Sequence, residues 1–147
     1  MKQVCVLGAL AAARAMPSIG HAKAPTGRFV VDAKGETVHD TWGKRTWQRV
    51  VDSGSYTWAK AKAHCTGLTR AGGGWRLPDV RELESIVDRQ QKEPAIEPMA
   101  FPATPAVIFW SATALSGSSS NVWVVNFYYG HSNLNLIAGP SRVRCVR

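Results

Sequence analysis

Short runs in which apolar and polar residues alternate predict β-strands in the first third of the chain. Residues 29–31 and 37–40 are such runs, and residues 32–35 between them end in glycine, which most easily adopts a positive φ in a turn. Residues 46–51 form a third run after a polar segment. We therefore predict a hairpin and one further strand before the first helix.

Two segments show the period of a helix instead. In residues 56–68, apolar positions recur three or four residues apart, at Trp58, Ala61, Cys65 and Leu68. Thr57 is predicted to cap this helix. The second helix follows Asp79, and Glu82 three residues later completes the signature of a capping box. Its apolar stripe comprises Val80, Leu83, Ile86 and Val87.

A proline-rich segment separates the helices from a β-rich C-terminal part. Residues 90–105 contain four prolines, so we predict a long ordered loop anchored by Ile96, Met99 and Phe101. Strands are predicted at residues 108–111, 122–127 and 142–146, and residues 128–139 are predicted as a hairpin or a loop. Strands, then helices, then strands indicate an α+β fold with short antiparallel strands.

The first 24 residues have the pattern of a secretory signal peptide. Lys2 is basic, residues 4–13 are an uninterrupted apolar run, and Ala22 and Ala24 are small residues suited to a cleavage site. The signal peptide could instead be cleaved after Ala22. The alternative to a signal peptide is a buried N-terminal helix. We expect an exported protein, periplasmic, on the outer surface or extracellular, whose single domain comprises residues 25–147. No other apolar run approaches the roughly 20 residues that span a membrane.

Two of the three cysteines, Cys65 and Cys145, follow the signal peptide. An even number in an oxidising compartment predicts a disulfide between them. Such a bond would close a loop of about 80 residues and contribute about 4 kcal/mol in the chain-entropy model. The alternative is a free reactive thiol, which would need a basic neighbour.

Charge is distributed unevenly along the chain. Loss of residues 1–24 removes three positive charges and no acid, which lowers the net charge from +8 to +5. Residues 98–147 contain no Asp or Glu, and their cations are Arg142, Arg144 and Arg147. Arg142 and Arg144 would share one face of a terminal strand. There they would bind sulfate or carboxylate groups of a ligand, or pair with acidic side chains from the first half of the chain. Nucleic acid is not an expected partner of such an exported protein.

Four stretches resemble a known bacterial family. They are residues 42–48, residues 75–88 beginning Trp-Arg-Leu-Pro, residues 109–113 reading Phe-Trp-Ser-Ala-Thr, and residues 123–127 together with 143–147. In this order they are similar to the family that includes the C-terminal domain of the Legionella collagen-like adhesin, over about residues 28–147. The chain departs from the family between Asp40 and Trp47, where Thr-Trp-Gly-Lys-Arg-Thr replaces a turn of the Thr-Gly-Leu type.

The resemblance implies a C-type-lectin-like fold, distantly related to formylglycine-generating enzymes and to the variable proteins of diversity-generating retroelements. It also implies ligand recognition, because sulfated polysaccharides are the partners of the adhesin member. In the retroelement proteins the corresponding C-terminal segment carries the diversified residues, and the Tyr, His and Asn residues found here would fit that role.

No arrangement of residues indicates catalysis. Both cysteines of the domain are assigned to the disulfide, Ser111 has no convincing His or Asp companion, and the histidines stand at no metal-ligand spacing. Calcium needs six to eight oxygens, several of them anionic, which the acid-free C-terminal part cannot supply. We therefore expect no catalytic residue, no metal and no cofactor.

The C-terminal segment has the residues of a binding surface. Tyr129, His131, Asn133 and Asn135 lie at a spacing of two, which would place them on one face of a strand. Tyrosine gives a broad contact area at low entropic cost, and asparagine gives adaptable hydrogen bonds. The predicted ligand-binding residues are Trp110, Asn126, Tyr128, Tyr129, His131, Asn133, Asn135 and Arg142.

Three functional hypotheses follow, in order of preference. The first is an exported adhesin-like or lectin-like domain that binds a polysaccharide, including a sulfated or otherwise anionic one, or a cell-surface protein, without calcium. The second is a structural or protein-interaction module of the cell envelope, including a diversified variable protein. The third is an enzyme related to formylglycine generation, which would require free thiols.

Overall fold

The computed structural model describes residues 25–147, so the predicted signal peptide, residues 1–24, lies outside the described residues. The strands are β1 (Phe29–Val31), β2 (Thr37–Asp40), β3 (Arg45–Gln48), β4 (Ile108–Ala114), β5 (Asn121–Asn126) and β6 (His131–Leu136). The helices are α1 (Trp58–Gly67) and α2 (Val80–Ser85). Among the described residues, no helix has the length and apolar character needed to cross a membrane.

The strands form two antiparallel sheets, β1-β2-β3 and β4-β5-β6, in which neighbouring strands follow the order of the chain. Along the chain, both helices follow the strands of the first sheet and precede those of the second. The α+β class, with two helices and short antiparallel strands, is therefore confirmed. The narrower assignment to a C-type-lectin-like fold stays a prediction.

The second sheet separates two parts of the hydrophobic core. Neighbouring residues of a strand point to opposite faces, so Phe109 and Trp110 of β4 enter different clusters. Phe109 and its cross-strand partner Val125 pack in a cluster that includes side chains from α2 and the first sheet. Trp110 and its partner Val124 pack in a cluster that includes side chains from α1. Strands buried on both faces are apolar at successive positions, as β4 and β5 are.

A disulfide connects α1 to the C-terminal segment. Cys65 and Cys145 are bonded, their Cα atoms are 5.5 Å apart, and their sequence separation is 80. Both side chains are fully buried. The predicted disulfide is confirmed, and these two cysteines are not free thiols.

The C-terminal segment does not form the strand that was predicted at residues 142–146. Arg142 bridges to Phe109 of β4, whereas Val146 bridges to Trp47 of β3 and to Arg76. The segment changes its partner within four residues, so no continuous ladder can form. Instead it connects the edges of the two sheets.

Arg144 is buried in this segment, which corrects the expectation that it shares an exposed anion-binding face with Arg142. Its Nη1 donates to the carbonyls of Gln48 at 2.6 Å and Arg49 at 2.8 Å, and its Nη2 donates to Thr104 Oγ1 at 2.6 Å. Its guanidinium also lies 4.8 Å from the ring centre of Phe101. Burial lowers the pKa of Arg144 to about 9.

The two helices begin differently. Asp79 Oδ1 accepts the Glu82 N–H at 2.8 Å and Glu82 Oε2 accepts the Asp79 N–H at 2.9 Å, so the predicted capping box of α2 is confirmed. Thr57 occupies the N-cap position of α1, but its side chain makes no capping hydrogen bond. The predicted Thr57 cap is therefore wrong, and α1 is held mainly by its packing and the disulfide.

The proline-rich segment is a loop, as predicted, with Ile96 and Phe101 fully buried beneath it. The prediction that Met99 also anchors the loop is wrong, because its side chain is 75% exposed. Val87 and Ile96 form an isolated bridge, which draws the start of this loop back towards the end of α2.

Candidate ligand-binding site

The predicted binding residues lie on and around a β-hairpin, one of the two alternatives for residues 128–139. β5 ends at Asn126 and pairs with β6, which begins at His131. Asn126 Oδ1 accepts the Tyr128 N–H at 2.8 Å, and the Asn126 carbonyl accepts the Gly130 N–H at 2.8 Å. Asn126 therefore fixes the turn that presents both tyrosines.

Gly130 lets a neighbouring loop pack directly against this turn. Its φ is +78°, in the region that favours glycine. A Cβ added at this position would lie 2.7 Å from Val87 Cγ1 and 3.0 Å from Ala95 Cβ. The loop after α2 is thus in contact with the hairpin turn and limits its movement.

The tyrosines and His131 form a chain of contacting rings. The rings of Tyr128 and Tyr129 meet edge-on, with centroids 4.4 Å apart and planes at 69°. Tyr129 and His131 are stacked, with centroids 5.8 Å apart and planes at 15°. The Tyr129 side chain is 62% exposed and offers a broad apolar face to a ligand.

A cleft of about 690 Å³ lies beside these rings, and we call it the aromatic cleft. It is lined by Ser55, Pro105, Ala106, Val107, Ile108, Asn126, Tyr128, Tyr129, Asn135, Pro140, Ser141 and Arg142. Its volume lies in the range of about 300–1,000 Å³ that is usual for ligand pockets. The structure thus places five of the predicted residues, Asn126, Tyr128, Tyr129, Asn135 and Arg142, around one cavity.

The opposite wall of the cleft was not predicted. The Phe127 N–H donates to the Val107 carbonyl at 3.0 Å, which brings residues 105–108 beside the hairpin. Tyr56 and Ser141 exchange backbone hydrogen bonds of 2.9 and 3.0 Å, which bring Ser55 there from the other side. These contacts join residues far apart in the chain, and no local pattern in the sequence indicates them.

Trp110 must be removed from the predicted site. Its side chain is 0% exposed, and its indole N–H donates to the Tyr56 carbonyl at 2.6 Å. The alternation of β4 directs it into the core beneath α1 rather than to the surface. Ile108, two residues earlier on the same face of β4, packs against the same cluster and lines the cleft instead.

His131 and Asn133 lie on the same exposed face of β6 but do not line the aromatic cleft. His131 contacts the cleft indirectly, through its stacking on Tyr129. Asn133 is exposed and lies further along the strand, opposite Val124. Both side chains flank the cleft and could extend its contact surface.

Two polar side chains of the cleft are engaged in holding its walls. Asn135 Nδ2 donates to Ser141 Oγ at 3.1 Å, and Asn135 Oδ1 accepts the Leu136 N–H at 3.0 Å. Arg142 Nη2 donates to the Asp52 carbonyl at 2.7 Å and Nη1 donates to the Ser53 carbonyl. Arg142 therefore fixes the loop that carries Ser55, and its charge is met there by carbonyl dipoles rather than by a carboxylate.

Other polar groups of the cleft remain available. Asn126 Nδ2 and the Tyr129 hydroxyl donate to no described residue, whereas the Asn126 Oδ1 is used in the turn. The nearby Glu93 carboxylate raises the pKa of the Tyr128 hydroxyl. The cleft thus offers hydrogen-bonding groups on the aromatic side and an apolar wall formed by residues 105–108.

Acidic side chains take no part in lining the cleft. In residues 25–147, no three His, Cys, Asp or Glu side chains are grouped as metal ligands. Ser111, the serine considered for catalysis, donates its hydroxyl to the Trp123 carbonyl at 2.6 Å and is fully buried.

The model of the Lcl C-terminal domain family matches residues 36–147. The chain belongs to the Lcl C-terminal domain family. The match includes every residue that lines the aromatic cleft, from Ser55 to Arg142. The family assignment made from the four sequence stretches is thereby confirmed. Among curated proteins, no significant match to the chain was found.

Proposed function

We propose that this Lcl C-terminal domain is an exported, adhesin-like module that binds a polysaccharide in the aromatic cleft, without calcium and without catalysing a reaction. The observation that carries the proposal is the pairing of an exposed tyrosine face with free hydrogen-bonding groups in a cavity of about 690 Å³. Pockets that bind small ligands combine apolar walls with a few polar groups in the same way.

A sugar ring fits this combination because it has both apolar and polar surfaces. Its C–H faces can pack on Tyr129 and on the apolar wall of residues 105–108. Its hydroxyls can bond to Asn126 Nδ2 and to the Tyr129 hydroxyl. His131 and Asn133, next along the exposed face of β6, are placed to contact further rings of a longer chain.

The residues of the cleft support binding without calcium. Calcium takes six to eight oxygen ligands, several of them anionic, and no carboxylate lines this cavity. The absence of catalysis is supported by the disulfide, because Cys65 and Cys145 have no free thiol to act as a nucleophile or a metal ligand. Export is supported by the same bond, since disulfides persist in oxidising compartments.

A protein partner is the second candidate, on a different surface. Leu134 is 44% exposed and Leu136 is 58% exposed, and both lie on the face of β6 opposite His131 and Asn133. β6 is an edge strand of its sheet. Exposed apolar side chains on an edge strand are typical of a surface that contacts another protein.

The test is binding of the protein to a panel of neutral, amino, carboxylated and sulfated saccharides, in calcium and in chelator. We expect chelator-insensitive binding that Tyr129→Ala weakens about five-fold, because an aromatic contact contributes about 1 kcal/mol. Trp42→Ala is the matched control, because Trp42 is a 63% exposed aromatic residue outside the cleft.

Two results would contradict the proposal. One is the absence of binding to any saccharide, and the other is binding that chelator abolishes. If Leu134→Ser with Leu136→Ser, but not Tyr129→Ala, removes attachment of the protein to cell surfaces, the protein partner is the better hypothesis.

A further inference from the structure

The proline-rich loop places an acidic residue, Glu93, beside Tyr128 at the rim of the aromatic cleft, although Glu93 does not line the cavity itself. The Glu93 N–H donates to the Tyr128 carbonyl at 3.0 Å, and the Ala95 N–H donates to the Phe127 carbonyl at 2.6 Å. On the other side of the turn, Gly130 leaves no space between the hairpin and Ala95. The backbone of Glu93 is therefore fixed relative to both tyrosines.

The side chain of Glu93 follows from this backbone position. Its carboxylate lies close enough to the Tyr128 hydroxyl to raise the pKa of Tyr128, and Tyr128 lines the cleft. Glu93 is exposed, and a carboxylate has about four acceptor positions, so most of its accepting capacity faces solvent or a ligand. The φ of Glu93 is +56°, a conformation that favours glycine, yet the chain carries a charged side chain there.

The two charged residues at the cleft, one positive and one negative, therefore lie in different places. Arg142 is the charged residue among the lining side chains, and two carbonyls fix its guanidinium against the loop at Asp52 and Ser53. Glu93 stands beside Tyr128, the residue that joins the aromatic side of the cleft to the proline-rich loop. A ligand group that reaches Tyr128 meets a negative charge and hydrogen-bond acceptors.

We infer that Glu93 is a specificity-determining residue, which selects saccharides that present hydroxyl or amino donors beside Tyr128 and disfavours sulfate or carboxylate groups there. This inference rests on the proposed binding of saccharides in the aromatic cleft. It narrows the ligand class to neutral and amino sugars at that end of the cavity, in spite of the net positive charge of the chain.

The test compares three oligosaccharides of equal length, β-1,4-linked glucosamine with free amines, with N-acetyl groups and with N-sulfate groups. Every ring carries the substituent, so one substituent lies near Glu93 in whatever register the oligomer binds. Titrations at about 0.15 M salt reduce the long-range attraction between the basic protein and sulfate. We expect affinities in the order amine, N-acetyl, N-sulfate.

Glu93→Gln should reduce the ratio of amine to sulfate affinity by about two- to five-fold, the size expected for one exposed charge contact. Glu93→Gly should reduce it equally, and it relieves the positive φ, so a folding defect cannot account for the change. Glu36→Gln is the matched control, because it alters the net charge identically on the β1–β2 hairpin.

The outcomes separate the two claims. If the sulfated oligomer binds tightest, or if Glu93→Gln changes the ratio no more than Glu36→Gln does, the inference about Glu93 is overturned while saccharide binding stands. If none of the three oligomers and no other saccharide binds, the proposed function fails and the inference fails with it.

Discussion

Two buried ionisable side chains, Glu82 beside the first sheet and Arg144 in the C-terminal segment, are stabilised in different ways. Glu82 Oε1 accepts from Arg76 Nη2 and from Arg45 Nε, both at 2.6 Å. The Arg76 guanidinium, with help from the Asp79 N–H and Arg45, lowers the pKa of Glu82 to about 2. Arg144 has only neutral oxygens around it, and burial lowers its pKa to about 9.

The difference follows from where the acids lie in the chain. Residues 98–147 contain none, so the C-terminal part has no carboxylate of its own to pair with a buried cation. Carbonyl and hydroxyl oxygens accept hydrogen bonds from Nη1 and Nη2 of Arg144, whereas its buried Nε has no partner among the described residues. Such dipoles recover less of the desolvation cost than an opposite charge would. The first part of the domain is thus held by ion pairs, and the second by dipoles, apolar packing and the disulfide.

Breaking the disulfide removes the covalent connection between these two parts and should have the largest effect. We expect Cys65→Ala with Cys145→Ala to lower the free energy of unfolding by about 4 kcal/mol, because a loop of about 80 residues is no longer closed in the unfolded chain. Urea denaturation measures the change, and reduced wild-type protein should show a loss of the same size. A loss below about 1 kcal/mol would mean that the unfolded chain is already constrained there.

Arg144→Met replaces the buried charged side chain with an apolar one of similar volume. Its effect on the free energy of unfolding should be the second largest. We expect a loss of about 3 kcal/mol, because the carbonyls of Gln48 and Arg49 and the Thr104 hydroxyl lose their buried donor. Arg144→Lys keeps a charge and some of these bonds, so its loss should be smaller in the same denaturation experiment. Equal or greater stability of Arg144→Met would show that the buried charge costs more than its bonds return.

Local signals in the sequence were sufficient for some of these features. The capping box of α2 depends on Asp79 and Glu82, three residues apart, so it is visible in a short window. The hairpin was only one of the two alternatives for residues 128–139, because its turn depends on the Asn126 side chain, which was assigned to a strand. The disulfide followed from the number of cysteines, because only one pairing is available in the domain.

Features that depend on contacts between distant residues were not predictable. The segment at residues 142–146 has the alternation of a strand, but its partners lie on two different sheets, so it forms isolated bridges. Trp110 was predicted to bind the ligand, but it is buried. In a strand that is buried on both faces, both sides are apolar, so the alternation of residues does not show which side chains reach the surface. Ser55 reaches the cleft because its neighbour Tyr56 is bonded to the backbone of Ser141, and residues 105–108 reach it because Val107 is bonded to Phe127. These contacts join distant residues, so the sequence pattern gives no sign of them.

Glu82→Gln, on the ion-paired side of the comparison, should have the smallest of the three effects, about 2 kcal/mol at neutral pH. The neutral amide keeps one acceptor for Arg45 or Arg76 but loses the charge. The folded pKa of Glu82, about 2, is below its ordinary value of 4.5, so its stabilising effect is complete above pH 4.5. That effect is lost as the pH falls from 4.5 towards 2, where the carboxylate becomes protonated in the folded protein.

Stability measured by urea denaturation between pH 7 and pH 2.5 therefore distinguishes the two buried groups. Wild type and Arg144→Met should both lose stability as the pH falls below 4.5, whereas Glu82→Gln should lose less over the same range because its ion pair is already absent. Glu84→Gln, on the same helix but outside the ion pair, serves as the control and should follow the wild-type curve. A Glu82→Gln curve parallel to wild type would mean that Arg45 and Arg76 stabilise the fold through their backbone contacts and stems rather than through the carboxylate.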